Sequence, residues 1–448
     1  MRSIIKRAAW VGATLALVAG VLPASADHAT RPHTKNIQAK GHSPHPATIP
    51  DPTGPVHINS DLAFWGKVAF NGNYDGFRVI DISDPDNPQE ISHPRCSGDQ
   101  GDIVVWNDIL VRSWNSPAPA GRMCDGEPVS AGFEGVHIWD ISNLEDPDLV
   151  GSLALPCGSH TSTLVPDLED DRLLVYNQTS GGPCPFITIF QVPLDDPGNA
   201  SILRLEPLVE AGACHDSGVI LGEVNMMTCA SHAHANVYDI GENDLPGGSP
   251  EDPNFLYTIS EPGVGVGGNW HSAAFTWDGE VIILGWEPGG GTQAECEATD
   301  PDVKKSMFFY DSSDGTKLGQ WTLPRPQGRD ENCTIHNYNI VPLRSGRYVA
   351  VSGNYQAGTW VTDFTNPASP MTAAWSDPPS LGPGPFCSQT TPPGCQLGGA
   401  WSSYWYNNFI YESEITKGLN VFRVSDRRVG GAIRLPHLNP QTQEFSLP

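Results

Sequence analysis

Gly76-Phe-Arg-Val-Ile-Asp81-Ile-Ser83 and Gly135-Val-His-Ile-Trp-Asp140-Ile-Ser142 are two copies of one short apolar strand that closes on an acidic residue and a turn. Looser copies occupy residues 236–240, 307–311, 358–364 and 418–425. An apolar–turn–apolar hairpin stands before each of them. Seven such hairpins run along the chain: 63–70 around Gly66-Lys67, 104–111 around Asn107-Asp108, 163–175 around 167–171, 219–227 around Gly222-Glu223, 273–284 around Asp278-Gly279, 339–351 around 344–346, and 404–411 around Asn407-Asn408. Gly and Asn tolerate the positive φ that two-residue hairpin turns need, so these turns are strong hairpin signals. A Pro-containing turn such as Asp84-Pro85 or Asp146-Pro147 follows the third strand, and a fourth short strand comes next, as at 149–155 and 317–323.

Hairpin, strand, turn, strand makes a four-stranded antiparallel blade. One blade cannot bury both of its faces, whereas a closed ring of blades can, and it leaves only short edges. The repeat therefore predicts an all-β fold: a seven-bladed β-propeller of four-stranded blades over residues 57–438. Before it come a signal peptide (1–26) and an irregular N-terminal arm (27–56), within which 36–40 can form one strand against the last blade. A disordered C-terminal tail (439–448) follows. The residues that open the hairpins are Asp61, Asp102, His160, His215, His271, His336 and Ser402. Their spacing runs from 41 residues (61 to 102) to 66 (336 to 402), as repeats with loop insertions allow.

The third-strand cores, Phe77-Arg-Val-Ile-Asp-Ile-Ser and Val136-His-Ile-Trp-Asp-Ile-Ser, resemble the LVIVD-repeat family of propeller proteins, and Cys214-His215-Asp216 is similar to a blade opening of its exported members. The resemblance covers about residues 57–425 and loosens in the third unit, where 187–192 ends without the acidic residue. It implies a propeller fold and an exported or surface location. It implies no reaction.

Arg2, Lys6 and Arg7, the 15-residue apolar run 8–22 and Ala24-Ser25-Ala26 read as a secretory signal, too short in its apolar part for a membrane span. A secreted, extracellular protein with no membrane span is expected. The net charge of −26 becomes −29 once those three cations are removed, and such a surface repels nucleic acid. Ten cysteines, an even number in an exported chain, predict five disulfides. They sort onto loops at one end of the blades, here called the top, where the first strands begin. That placement favours Cys96–Cys124, Cys157–Cys184, Cys214–Cys229, Cys296–Cys333 and Cys387–Cys395. The longest insertions (114–134, 286–305 and 377–400) fall on the same face.

Four consecutive units open with histidine: His160, His215, His271 and His336. Pointed at the top of the central channel, they can hold zinc, copper or iron, or act as acid and base near neutral pH. Asp61 and Asp102 take the same place in the first two units. Glu287, Glu412 and His232 stand at nearby loop positions. Trp114, Trp270, Trp286, Tyr355, Trp401 and Tyr404 can form a stacking platform for flat ligands. A polar residue at these openings can equally cap its strand and bond to the next blade. No nucleophile elbow, phosphate loop or dinucleotide fingerprint is present.

Two readings follow. One is a monomeric secreted binding or interaction propeller whose histidine-lined top pocket takes an extracellular protein, a glycan or a small ligand. The other is a metal-dependent enzyme, an oxidoreductase, with His160, His215, His271 and His336 as ligands. No catalytic residue is assigned in either.

Overall fold

The computed structural model describes residues 30–46, 58–180, 184–209, 212–241, 247–265, 268–387, 394–445 and 447. The signal-peptide expectation lies outside these residues. The fold is an all-β propeller. The third strands are mostly apolar and buried because blades pack face to face. Gly76–Asp81 and Gly135–Asp140 are buried up to their last residue, whereas the outer strand Asp148–Ala154 alternates between exposed and half-buried positions. The core lies between blades. Phe77 and Val79 of one blade meet Ile103, Leu110 and Trp139 of the next, and Phe309 stacks on Phe364 with ring centroids 4.4 Å apart.

Five sheets of four or five strands stand separately as blades, not the seven expected. The remaining eight strands form one sheet, in which Ile37–Pro44, Gly418–Val424, Phe409–Glu414 and Ala400–Tyr406 continue into Asn337–Ile340, Val349–Gly353, Thr359–Asp363 and Met371–Ser376. A single parallel bridge, Asn337 to Ser402, joins the two halves. The approach is close because Gly353 has no side chain. A Cβ there would lie 2.7 Å from the Ser402 carbonyl carbon. The Asn339 side chain then fastens the join by bonding both the N–H and the C=O of Trp405, at 2.8 and 3.0 Å.

Both ends of the chain close the ring. Ile37–Pro44, longer than the single short strand expected in the arm, pairs antiparallel with Gly418–Val424 and supplies its outermost neighbour. A buried ion pair, Arg31 to Glu412 at 3.2 Å, holds the start of the arm. The C-terminal segment is ordered, contrary to the expectation of disorder. Its polar composition suits water, but its amides instead satisfy the inner strands at the lower mouth of the channel. His437–Leu438 pairs with Asn59–Trp65. Asn439 bonds the N–H and C=O of Val105 at 2.8 and 2.9 Å. The Thr442 hydroxyl donates to Leu164 O at 2.7 Å, Thr442–Gln443 pairs parallel with Cys214–Ile220, and Gln443 bonds the Phe275 backbone. One short segment thus touches the innermost strands of all five separate blades.

The ten cysteines form the pairs 96–124, 157–184, 214–229, 296–333 and 387–395. Each closes a short loop, for roughly 2–4 kcal/mol apiece.

Ending the chain at Pro436 should lower stability by about 3 kcal/mol or more, since several hydrogen bonds of about 0.5–1.5 kcal/mol each are lost together. Asn439→Ala alone should cost about 1–2 kcal/mol. Denaturant unfolding of the disulfide-intact chain measures both, and a truncated chain as stable as the full one would refute a closing role for this segment.

Candidate axial metal centre

Four of the seven inner strands begin with a β-bulge. Register shifts fall between Cys214 and Asp216, between Trp270 and Ser272, between Ala400 and Ser402, and between Asn59 and Leu62. A bulge sets two residues opposite one and re-aims side chains. For this reason Asp216, the residue after His215, joins it at the axis instead of pointing to the opposite face.

The four histidines come together as expected. Ring centroids lie 4.4 Å apart for His160 and His215, and 4.2 Å apart for both His215–His271 and His271–His336. None is more than 5% exposed. Glu287 is placed within their reach: its Oε1 lies 3.6 Å from His336 Nε2 and its Oε2 lies 3.8 Å from His271 Nε2. Asp216 lies 3.3 Å from His215 Nδ1 through Oδ1 and 3.6 Å from His271 Nδ1 through Oδ2.

His336 Nδ1 donates to the Trp401 carbonyl, which fixes the tautomer and leaves the Nε2 lone pair facing Glu287. A metal-binding imidazole is typically held this way. Tyr355 OH donates to Glu287 Oε1 at 2.7 Å, and its ring lies 4.3 Å from His336. Tyr355 adopts φ +51°, an unusual conformation for a bulky residue. Three backbone bonds impose it: Tyr355 N–H to Ala400 O (2.9 Å), Ala400 N–H to Tyr355 O (2.8 Å) and Gly358 N–H to Tyr355 O (2.9 Å). Gly291 makes room, since a Cβ there would lie 2.1 Å from the Tyr355 hydroxyl.

Asp61 and Asp102 also line the cavity, but hydrogen bonds occupy them. Asp61 Oδ2 accepts from Tyr404 OH (2.9 Å), Gln441 Nε2 (3.0 Å) and Asn337 Nδ2 (3.2 Å), and Oδ1 accepts from Leu62 N–H (2.8 Å). Asp102 Oδ2 accepts from Ser162 N–H at 2.8 Å. By contrast, Nδ1 of His160 and of His271 has no hydrogen-bond partner, and His215 Nδ1 and Asp216 Oδ1 have only each other, 3.3 Å apart. Buried polar atoms are rarely left so.

Four expected pocket residues lie elsewhere. Trp114 packs in the core between the first two blades, and Trp286 packs in a core cluster with Trp270 and Phe308. His232 is exposed on a surface loop. Glu412 is taken up by Arg31, Thr359 and Asn420. An open aromatic platform is absent too: Trp114, Trp270, Trp286, Tyr355, Trp401 and Tyr404 are all at most 8% exposed. Only Trp401 lines the cavity. Asp216, Asn337 and Gln441 were missed. The first was legible as the neighbour of His215, but the bulge that turns it inward carries no sequence signal.

The cavity amid these groups measures about 10 Å³, room for about one water molecule. Asp61, Asp102 and Asp216 line it with His160, His271 and His336, and no lysine or arginine does. A larger groove of about 220 Å³, bounded by Trp277, Arg344 and Tyr348, lies on the opposite face and contains no histidine. Burial pushes the Asp61 carboxyl up to about 6 and Glu287 up to about 7, and raises Asp102 well above its ordinary range. Burial likewise pulls His160 and His271 far down and His336 to about 3. Burial also acts downward on His215, but the Asp216 carboxylate beside it turns the net shift upward.

Residues 60–93, which hold four strands of the first blade, match the LVIVD repeat. This chain carries the LVIVD repeat. No curated protein matches the sequence. Among solved structures, the Myceliophteria thermophila Cps50 (Swd1) β-propeller domain is 8% identical with a TM-score of 0.47, covering 86% of this chain and 100% of that one. A Lactobacillus plantarum protein is 10% identical (TM-score 0.49; 85% and 96% covered), and a putative 6-phosphogluconolactonase from Bacteroides fragilis NCTC 9343 is 12% identical (0.46; 87% and 100%). At these values they carry nothing about function for the LVIVD-repeat chain.

Asp61 gives the protein a pH signature. Its acid is favoured neutral in the fold, so no penalty exists below the unfolded value near 4. As pH rises through 6 the penalty grows to on the order of 2–3 kcal/mol, and stability falls. Asp102 acts in the same direction. Denaturant unfolding in chelator from pH 4 to 7.5 should show this decline, and Asp61→Asn should flatten it. A variant with the wild-type slope would show that Asp61 does not titrate there.

Proposed function

We propose that this exported propeller binds a divalent transition metal at its axis, with His271, Glu287 and His336 as core ligands. One observation carries the reading. These three buried side chains offer ligand atoms that all lie within 4.8 Å of one another, and the outer nitrogen of His336 is already tied to a backbone carbonyl. Their donor set of imidazole and carboxylate suits zinc, copper or iron. The surroundings favour a cation as well, because acids line the cavity and no lysine or arginine does among the described residues. When bound, such an ion supplies Lewis acidity or, for copper and iron, electron transfer. In that setting Glu287 is a ligand oriented by Tyr355, and Trp401 covers His336.

A glycan or small-ligand pocket at this place has no support in a cavity of about 10 Å³. An interaction role finds its support at the rim, where Ile202, Leu203 and Leu205 are exposed along the outer strand Ser201–Pro207. Five disulfides fit folding in an oxidising compartment, and no helix among the described residues is long and apolar enough to cross a membrane.

The test is reconstitution. Purified, disulfide-intact protein is stripped with chelator, loaded with zinc, copper or iron separately, dialysed and assayed for metal. At least one ion should be retained stoichiometrically and raise the unfolding midpoint. His336→Ala should lower the number of ions retained per chain by one. Tyr355→Phe should keep it but weaken affinity by about 10- to 100-fold, the usual effect of removing a group that orients a ligand. Wild-type protein that retains none of the three metals would sink the proposal.

A further inference from the structure

Resting on that reading, we infer that the axial cluster is a two-cation centre in which the His271 imidazole bridges the ions. The donors fall into two sets on opposite sides of one ring. On the Nδ1 side, Asp216 Oδ2 lies 3.6 Å from His271, and His215 Nδ1 lies 3.3 Å from Asp216 Oδ1. On the Nε2 side, Glu287 Oε2 lies 3.8 Å from His271, and His336 Nε2 lies 3.6 Å from Glu287 Oε1. Each set holds two imidazoles and one carboxylate, with its ligand atoms within 4.8 Å of one another.

The two lone-pair directions of an imidazole diverge, so one ion cannot draw on both sets through His271. A single ion on the Nε2 side would leave three buried atoms without a ligand role: His271 Nδ1, which has no hydrogen-bond partner, and His215 Nδ1 and Asp216 Oδ1, which face only each other at 3.3 Å. A second ion on the Nδ1 side accounts for all three. All five side chains are at least nine-tenths buried.

Charge and protons balance. A neutral imidazole carries one N–H. When both nitrogens donate to ions, that proton leaves for solvent and the ring becomes an imidazolate. Two dications then meet three negative groups, the ring, Asp216 and Glu287, and Asp102 and Asp61 line the adjoining cavity.

Copper(II) alone is the probe, because its unpaired electron reports on a neighbouring copper through a shared ring. The full disulfide-intact chain is titrated and its spins are counted by electron paramagnetic resonance. Two ions per chain are expected, with a spin count well below two because the bridge couples them. His215→Ala and His336→Ala should each bind one ion with its full, uncoupled signal. The wild-type titration decides the matter even if a variant does not fold. No copper bound, with zinc and iron also rejected, overturns metal binding itself. One ion per chain, unchanged in number by His215→Ala, overturns only the second site. Two ions with a full two-spin signal overturn the bridge.

Discussion

Ring closure brings the first residues of the inner strands together at an axis with room for about one water molecule. Every polar group placed there has to find its partner within the protein, because a buried donor or acceptor left alone costs about 1–3 kcal/mol. The repeat puts a polar side chain at this position in unit after unit, so the axis becomes a place where each group is either satisfied or conspicuous. Asp61 is satisfied four times over, by Leu62, Asn337, Tyr404 and Gln441. His160 and His271 each keep an Nδ1 without a hydrogen-bond partner. Equivalent positions in one repeat therefore do different work.

The C-terminal segment depends on the same constraint from below. Inner strands leave backbone N–H and C=O groups at the lower mouth of the channel, and a side-chain amide can answer both kinds at once. Asn439 does this for Val105 and Gln443 for Phe275. Gln441 reaches further and donates to Asp61 on the axis. The segment that seals the channel thus also touches the acid beside the histidines, so closure of the fold and the electrostatics of the site are linked through one carboxylate.

Much of this was legible in the sequence. Hairpin turns and apolar third strands announce a propeller because they are local. Cysteine pairing was readable because each pair lies near one hairpin opening. The axial histidines were legible by repeat register. Other features depend on contacts between units and were not. The joining of the last two hairpin units into one sheet needs Gly353 against Ser402, and order in the polar tail needs the mouth of a closed ring. Trp114 and Trp286 lie beside top loops in sequence but bury their rings between blades, where an aromatic side chain gains most from being removed from water. Glu412 looked free for a pocket until the N-terminal arm brought Arg31 to it.

The division among the openings has a physical basis in what each residue type can leave unsatisfied. A carboxylate in a dry channel demands several donors or a cation, and Asp61 gathers donors from four separate parts of the chain. A neutral imidazole is cheaper to bury and keeps one lone pair without a proton. A row of imidazoles can therefore wait unpaired in a folded ring where a row of carboxylates could not. Glu287 and Asp216 are the exceptions, carboxyls set among imidazoles, and both lie within 4 Å of two histidine nitrogens. A ring of blades that holds such a group folded without a cation must do so with neutral imidazoles in the majority, and histidine on consecutive units meets that requirement.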